Sequence, residues 1–282
     1  DGTVLKVTVN GLRGGHSGEM INRGRANSSM LIGRALDVLD CVCDIRVVSV
    51  DGGLKDNAIP VESFAVVVVS DEKKAREALE KFGDDLKNEY RTPDPDVTLC
   101  VESAAPTVLP MTNADSEKVV TLLTCMPNGL IELSMDVAGL PQTSLNLGIL
   151  TTSENEVSAS FCVRSSVSSQ KEMLKKRLTR MTALLGGTVS YFGEYPAWEF
   201  KSDSPILKLC ADVYEKKFGK KPVITAIHGG LECGLFSEKM PGLDCVSFGP
   251  DIFDIHTPRE KLSVSSLNRT WEFLLEVLKE MK

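Results

Sequence analysis

Apolar and polar residues alternate at residues 4–9, which predicts a β-strand, and apolar-rich runs at 45–50, 64–69 and 97–101 predict three more. Helical periodicity predicts two helices between them, at residues 22–39 and 71–88. The order is therefore β-α-β-β-α-β, which is the split βαβ pattern of ferredoxin-like domains. We expect these elements to form the first half of a two-part domain, at about residues 1–110.

A similar order of elements follows a connector that is punctuated by prolines. The pattern predicts a helix at 116–125, a strand at 129–136, two strands at 144–150 and 156–164, a helix ending near 185 and a closing strand at 189–192. Ser169 and Glu172 fit a capping box that begins the second of these helices. Short polar loops around Asn57 and Asn146 are the clearest echo between the halves, so a second half is expected at about 111–201.

The remaining residues, 202–282, predict helices that alternate with short buried strands. Helices are expected at 206–218, 231–238 and 266–281, and strands at 223–227 and 245–248. Ser204 and Pro205 form a good cap and first turn for the first helix. This alternation is typical of an α/β layer with a parallel-type sheet, so the chain as a whole is predicted to be α/β with an α+β first part.

Composition excludes several classes of binding partner but says little about the fold. The 282 residues are 42% hydrophobic and 25% charged, and the formal net charge is -7. An acidic chain offers no electrostatic footprint for nucleic acid or an anionic membrane. No apolar run reaches the roughly 20 residues that span a bilayer, and nothing resembles a signal peptide. We therefore expect a cytoplasmic protein without nucleic acid or membrane partners.

Two further features concern the cysteines and the start of the chain. The eight cysteines lie mostly inside apolar strand or helix patterns and form no CxxC pair, so we expect reduced, buried thiols. The chain begins directly in strand alternation without Met. We expect it to be the later portion of a longer polypeptide.

The three histidines all lie in short loops that contain glycine or proline. They are His16 in GGHSG, His228 in IHGG and His256 in DIHTP. Loops held by a rigid scaffold commonly carry binding and catalytic side chains, and histidine titrates near neutral pH. Taken alone, His256 is more often a structural or hydrogen-bonded loop residue than a metal ligand, because a metal site needs several converging donors.

Six short motifs, taken together and in order, resemble one family. They are GLRGGHSG at 11–18, NAIP at 57–60, FCVRSS at 161–166, IHGGLECGLF at 227–236, SFGP at 247–250 and HTPRE at 256–260. This combination resembles the aminoacyl-histidine dipeptidases, also called Xaa-His dipeptidases or carnosinases, in the M20 family of di-zinc metallopeptidases. The resemblance spans essentially the whole chain.

The resemblance implies a catalytic domain that is split by an inserted lid made of two ferredoxin-like halves. Residues 1–201 would be the lid and dimerisation domain, and residues 202–282 the C-terminal part of the catalytic domain. The family's remaining metal ligands and its general-base glutamate lie upstream of this portion. A homodimer is compatible with this arrangement.

The resemblance also implies roles for five side chains. His256 would bind one of two zinc ions, with manganese or cobalt as alternatives, and His16 would donate a hydrogen bond to the tetrahedral oxyanion. Arg164 would grip the carboxylate of a dipeptide substrate, with Asn146 beside it, and Glu232 would anchor the free amino group.

Other interpretations of the same residues remain open at this point. Asn57 is either a turn residue or a second asparagine that faces the substrate. Glu232 at a helix start is also favoured by the helix dipole alone. His228 lines a pocket or supports Glu232, and Cys233 beside it could suggest a thiol nucleophile, which needs an orienting third group.

Three functions follow from these patterns. The first is a dipeptidase that cleaves Xaa-His and other short peptides with a metal-activated water. The second is a lid and dimerisation module that is inactive alone, because one histidine cannot hold two metals. The third is a peptide-binding or amino-acid-binding protein that keeps the fold without the chemistry.

Overall fold

The computed structural model describes residues 2–105, 108–225, 228, 231–253 and 259–281. Contacts divide the chain into two compact units, Asp1–Phe192 and Gly193–Lys282. The predicted boundary between lid and catalytic portions, at residues 201 and 202, lies a few residues after this division. Their assignment as lid and catalytic domain remains a prediction.

The strands described in the first unit are β1 Thr3–Asn10, β2 Gly15–His16, β3 Ile45–Gly52, β4 Ala58–Ile59, β5 Ser63–Val69, β6 Thr98–Ser103, β7 Gly129–Leu133, β8 Pro141–Thr152 and β9 Val157–Ser165. Its α-helices are α1 Ser28–Asp40, α2 Glu72–Glu89, α3 Asn113–Cys125 and α4 Ser168–Leu184, and Ile21–Arg23 forms a 3-10 turn.

The first half of this unit forms an antiparallel sheet in the order β6-β1-β5-β3. Alternate residues of β1 are completely buried (Leu5, Val7 and Val9), as the polar–apolar alternation of the sequence requires. They share one core with apolar residues of α1 and α2. The βαββαβ order and the α/β class predicted from the sequence are confirmed.

The second half extends the same sheet and is built as α-β-β-β-α. The strand β8 pairs with β3 through Gly52 and Leu150, with β7 along its beginning, and with β9 along its length. Helix α4 covers β8 through Leu174 and Leu178, which pack on Leu145. One continuous sheet therefore joins both halves.

Three predicted details of this unit are wrong. The helix predicted at 22–39 begins at Ser28, because the Asn27 side chain caps it by accepting hydrogen bonds from the N–H groups of residues 29 and 30. The capping box is absent, since Val167 occupies the N-cap position of α4 and Ser169 lies inside the helix. The predicted strand at 189–192 has no regular secondary structure; there the Tyr191 hydroxyl donates to the Lys175 carbonyl of α4, 2.6 Å away.

The second unit contains α5 Pro205–Phe218, α6 Glu232–Lys239, β10 Ile252–Phe253, β11 Lys261–Leu262 and α7 Val264–Glu280. The predicted cap of α5 is confirmed, since the Ser204 hydroxyl accepts from the Leu207 N–H at 3.1 Å. Helices α5 and α7 pack together through Cys210, Val213, Phe273 and Val277.

The described parts of the two strands predicted in the second unit do not form strands. Residues 223–225 and 245–248 have no regular secondary structure. A strand needs a neighbour for its backbone hydrogen bonds, and the described part of this unit offers these segments no such partner. Val223 is accordingly 92% exposed.

The cysteines are free, but their predicted burial is wrong for most of them. Only Cys210 is buried, while Cys41, Cys100 and Cys125 are exposed and the other four are half-buried. These three lie at a helix end or on the open side of an edge strand, so an apolar sequence pattern did not lead to burial. Across the part of the chain that the structure describes, no helix is long and apolar enough to cross a membrane.

Two helical glycines provide a matched test of the packing between the halves. A Cβ built on Gly33 of α1 would lie 2.5 Å from Leu123 Cβ and 2.8 Å from the Leu123 carbonyl oxygen of α3, whereas one on Gly83 of α2 would meet only Leu99 Cβ at 3.7 Å. We expect Gly33→Ala to lower the free energy of unfolding by about 1–3 kcal/mol through overpacking. Gly83→Ala should raise it by about 0.5–1 kcal/mol through helix propensity.

Urea unfolding followed by circular dichroism measures both changes. Equal effects of the two substitutions would contradict the close approach of α1 and α3.

Candidate functional site

The imidazole of His16 projects from a tightly fixed turn. His16 ends β2 and pairs with Ala58 of β4, and the next residue donates its N–H to the Asn57 carbonyl at 2.9 Å. Gly14 and Gly15 precede it with φ values of 58° and 139°, which side chains other than glycine rarely adopt. The His16 side chain is exposed although its backbone is hydrogen-bonded on both sides.

Its ring nitrogens are distinguished by one hydrogen bond. The Gly18 N–H donates to His16 Nδ1 at 3.3 Å. A neutral imidazole has one N–H, so an accepting Nδ1 places the proton on Nε2. His16 is therefore set up as a hydrogen-bond donor through Nε2.

The two ends of the loop that carries His16 meet at one carboxylate. Asp94 is completely buried and accepts from the Arg13 N–H through Oδ1 and from the Ala26 N–H through Oδ2, both at 2.7 Å. Within the loop, the Arg25 guanidinium donates to the Gly14 carbonyl. The loop is thus closed at its base and braced across its middle.

The Asn146 side chain contacts the segment around β4, the strand that pairs with His16. It is 1% exposed, and its Nδ2 donates to the carbonyls of Asp56 (3.0 Å) and Ala58 (2.8 Å). Its Oδ1 accepts from Asn27 Nδ2 at 3.2 Å. Both amide protons of Asn146 are therefore used to hold the segment around β4.

Arg164 stands on the same face of the sheet as Asn146. In the β8–β9 ladder it pairs with Ser144, while Asn146 pairs with Cys162. Cross-strand partners share a face and side chains alternate along a strand, so Arg164 and Asn146 occupy diagonal positions, about 7–8 Å apart. The structure thus brings Arg164, Asn146 and the His16 turn to one region of the first unit.

The remaining predicted site residues belong to the second unit. Glu232 is exposed and is the first residue of α6, where the helix dipole favours a carboxylate. His228 is 8% exposed. His256 lies outside the described residues, so its predicted role as a metal ligand remains a prediction.

A thiol nucleophile at Cys233 is not supported. Burial raises the pKa of the Cys233 thiol, with a further contribution from the nearby Cys245. A reactive cysteine needs a lowered pKa, because the thiolate is the attacking species.

Metal-binding side chains do not cluster in the described ranges. Within residues 2–105, 108–225, 228, 231–253 and 259–281, no group of three or more His, Cys, Asp or Glu side chains could hold an ion. The described part of the chain therefore does not fit a metal centre by itself.

Comparison with known proteins agrees with the motifs. Residues 12–280 match the family described as Peptidase family M20/M25/M40. The chain belongs to this peptidase family. It is 34% identical over 279 residues to the cytosol non-specific dipeptidase of Escherichia coli (strain K12), covering 98% of this chain and 58% of that protein.

A solved structure has the same fold as this chain. The crystal structure of aminoacylhistidine dipeptidase from Vibrio alginolyticus superposes with a TM-score of 0.91 at 36% identity, covering 100% of this chain and 58% of that one. The resemblance to aminoacyl-histidine dipeptidases is thereby confirmed. The chain spans 58% of the length of each of these two relatives.

Three residues that support the site, Asp94, Asn27 and Asn128, lie outside the sequence motifs and were not predicted. Asp94 lies between two prolines in the connector after α2, and nothing in that local pattern indicated burial. Asn27 fell inside the predicted helix, although asparagine before an apolar helical run is a typical N-cap signal. Asn128, which accepts from the Leu147 N–H at 2.8 Å, had no distinguishing signal.

We expect Asn146→Ala to destabilise the protein, because it leaves two carbonyl oxygens near β4 without their donors. The free energy of unfolding should fall by about 1–3 kcal/mol. Asn22→Ala is the matched control, since its Nδ2 also donates to a distant carbonyl, that of Gly139 at 3.0 Å, but at an exposed site. It should change stability by less than about 0.5 kcal/mol. A similar loss in both variants, measured by urea unfolding, would show that burial at Asn146 is unimportant.

Proposed function

We propose that the full-length protein is a cytoplasmic, metal-dependent dipeptidase that hydrolyses Xaa-His and other short peptides. Membership of the M20/M25/M40 peptidase family supports a peptide hydrolase. The two relatives described above are named as dipeptidases, one cytosolic and non-specific and one acting on aminoacylhistidine substrates. The alternatives of a non-catalytic lid or a peptide-binding module gain no support from these relatives.

The exposed His16 side chain, whose Nδ1 accepts the Gly18 N–H, is the observation that carries the proposal. Addition of water to the scissile carbonyl puts negative charge on the carbonyl oxygen, and a donor already in place stabilises that charge. The His16 backbone is fixed by β4 and by the hydrogen bond from Ser17 to Asn57, so the donor direction is set before substrate arrives. We assign the oxyanion contact to this nitrogen.

Arg164 is the proposed contact for the substrate carboxylate. Its guanidinium can bind a carboxylate through two parallel hydrogen bonds, which a lysine cannot reproduce. Its position on the sheet face that also carries Asn146 supports this role. Asn146 is a proposed substrate neighbour, and its Nδ2 also donates to the carbonyls of Asp56 and Ala58. Glu232, exposed at the start of α6, is proposed to bind the free amino group.

The proposed metal is zinc, at two ions per complete site, with manganese or cobalt as alternatives. His256 would be one ligand, and the other donors would lie outside the described residues, since those residues form no metal-binding group. When bound, such ions activate water and polarise a carbonyl. A homodimer is proposed as the assembly.

The first test is His16→Ala in the full-length protein with an Xaa-His dipeptide as substrate. We expect kcat to fall about 100- to 1000-fold, because a donor to the oxyanion is lost, while KM changes little. Glu19→Ala, an exposed change in the same loop, should retain the wild-type rate. Histidine release measured by chromatography gives both constants. An unchanged kcat in His16→Ala would remove this residue from the mechanism.

A second test separates substrate binding from chemistry. Arg164→Lys should raise KM for a dipeptide about tenfold or more, because the two-pronged contact with the carboxylate is lost. The wild type should discriminate strongly against the same dipeptide with an amidated C-terminus, and the variant should discriminate much less. Arg177→Lys, exposed on α4, is the control and should behave as wild type. Equal discrimination by the wild type and Arg164→Lys would disprove the assignment.

A further inference from the structure

Asp94 is an unusually buried carboxylate for a connector that is otherwise largely open to solvent. It lies between α2 and β6, is 0% exposed, and is flanked by Pro93 and by the exposed Pro95. The turn around it is fixed by backbone hydrogen bonds from Asp94 N–H to the Tyr90 carbonyl (2.9 Å) and from Val97 N–H to the Asp94 carbonyl (3.1 Å). Buried carboxylates are rare without strong hydrogen bonds, so this one requires an explanation.

Both carboxylate oxygens face the loop that carries His16. Oδ1 accepts from the Arg13 N–H and Oδ2 from the Ala26 N–H, each at 2.7 Å. These two residues bracket His16 in the sequence, three positions before it and ten after it. Short, charge-assisted bonds of this kind are about twice as strong as neutral ones. One side chain therefore joins the entrance and the exit of the loop.

Packing holds the same two segments together independently. Gly11, at the end of β1, has φ 78°, and a Cβ built on it would lie 2.0 Å from the Asp96 carbonyl oxygen. The backbone that leads into the loop is thus pressed against the turn that carries Asp94. Nothing bulkier than glycine fits this contact.

We propose that Asp94 is a positioning residue for His16: its carboxylate clamps both ends of residues 13–26 and so fixes where the imidazole points. The catalytic consequence rests on the proposed function, whereas the clamp itself does not. An asparagine has the same shape but only one acceptor oxygen, so its NH₂ group would face a backbone N–H. Asp94→Asn is therefore a nearly isosteric change that releases one end of the loop.

The kinetic test uses the full-length protein with an Xaa-His dipeptide. Asp94→Asn should lower kcat about 10- to 100-fold with KM within about threefold of wild type, because a donor misplaced by about 1 Å acts poorly in the transition state. Asp96→Asn, exposed two positions later, is the matched control and should keep the wild-type kcat. In a His16→Ala background, Asp94→Asn should have almost no further effect on kcat. A loss of the same size in both backgrounds would overturn the proposal, since Asp94 would then act independently of His16.

Amide hydrogen exchange tests the clamp without relying on catalysis. In the wild type, the amides of Arg13 and Ala26 should exchange as slowly as those of the β1 and β5 ladder. In Asp94→Asn, exchange at the Arg13, Ala26 and Ser17 amides should rise about tenfold or more relative to Asp96→Asn, with the ladder unchanged. Fast exchange of the Arg13 and Ala26 amides in the wild type would overturn the clamp even if the variant does not fold.

The two measurements separate the two claims. A full-length protein that exchanges as expected but cleaves no dipeptide contradicts the proposed function and leaves the clamp supported. A protein that cleaves dipeptides but whose loop exchange is insensitive to Asp94→Asn contradicts the clamp alone.

Discussion

Hydrogen bonds from amide side chains join the two halves of the first unit, beside an apolar core that α1 and α3 share across the junction. The backbone ladder there is very short, because β3 and β8 pair only through Gly52 and Leu150. Asn27 Nδ2 instead donates to the Leu147 carbonyl at 2.8 Å and to Asn146 Oδ1 at 3.2 Å. Since a primary amide has two protons, these two contacts use its donor capacity, and the 3.5 Å approach to Asn128 Oδ1 is secondary.

Hydrogen bonds of the same amides connect this junction to the candidate site. Asn146 accepts a hydrogen bond from Asn27, and its Nδ2 donates two hydrogen bonds to the segment around β4. That strand in turn pairs with His16. Asp94 fixes the loop from its other side. An exposed imidazole on a backbone held from two directions has little freedom to lose when a substrate binds, which is the condition for effective transition-state stabilisation.

Sequence periodicity was sufficient to predict a helix or strand wherever one face of that element packs against a neighbouring element. Residues of β1 alternate between buried and half-buried positions, and the predicted position of this strand agrees with the structure. Prediction failed where a tertiary partner decides the outcome. The segment at 189–192 has strand-like residues, but Tyr191 reaches α4 instead of a sheet edge. Segments 223–225 and 245–248 are apolar without forming strands, because strand formation needs a neighbour that periodicity cannot supply.

Some residues of the candidate site were likewise predicted from the sequence, and others were not. His16 and Arg164 were identified from motifs, and the structure places both at defined strand positions. Asp94 was missed because its importance comes from two backbone donors, one 81 and one 68 residues away, and a lone aspartate between prolines carries no sign of them. The sequence predicts a substrate contact for Asn146, and the structure adds that its Nδ2 supports the segment on either side of Asn57. Long-range hydrogen bonds are therefore the part of this site that local sequence cannot reveal.

The most direct test of this account is a crystal structure of the full-length protein bound to a phosphinic analogue of an Xaa-His dipeptide. The tetrahedral phosphinyl group imitates the transition state of amide hydrolysis. The account predicts His16 Nε2 at about 2.7–3.1 Å from a phosphinyl oxygen. It also predicts that Asp94 still binds the N–H groups of Arg13 and Ala26. A bound analogue with His16 far from the phosphinyl group, and another donor in its place, would contradict it.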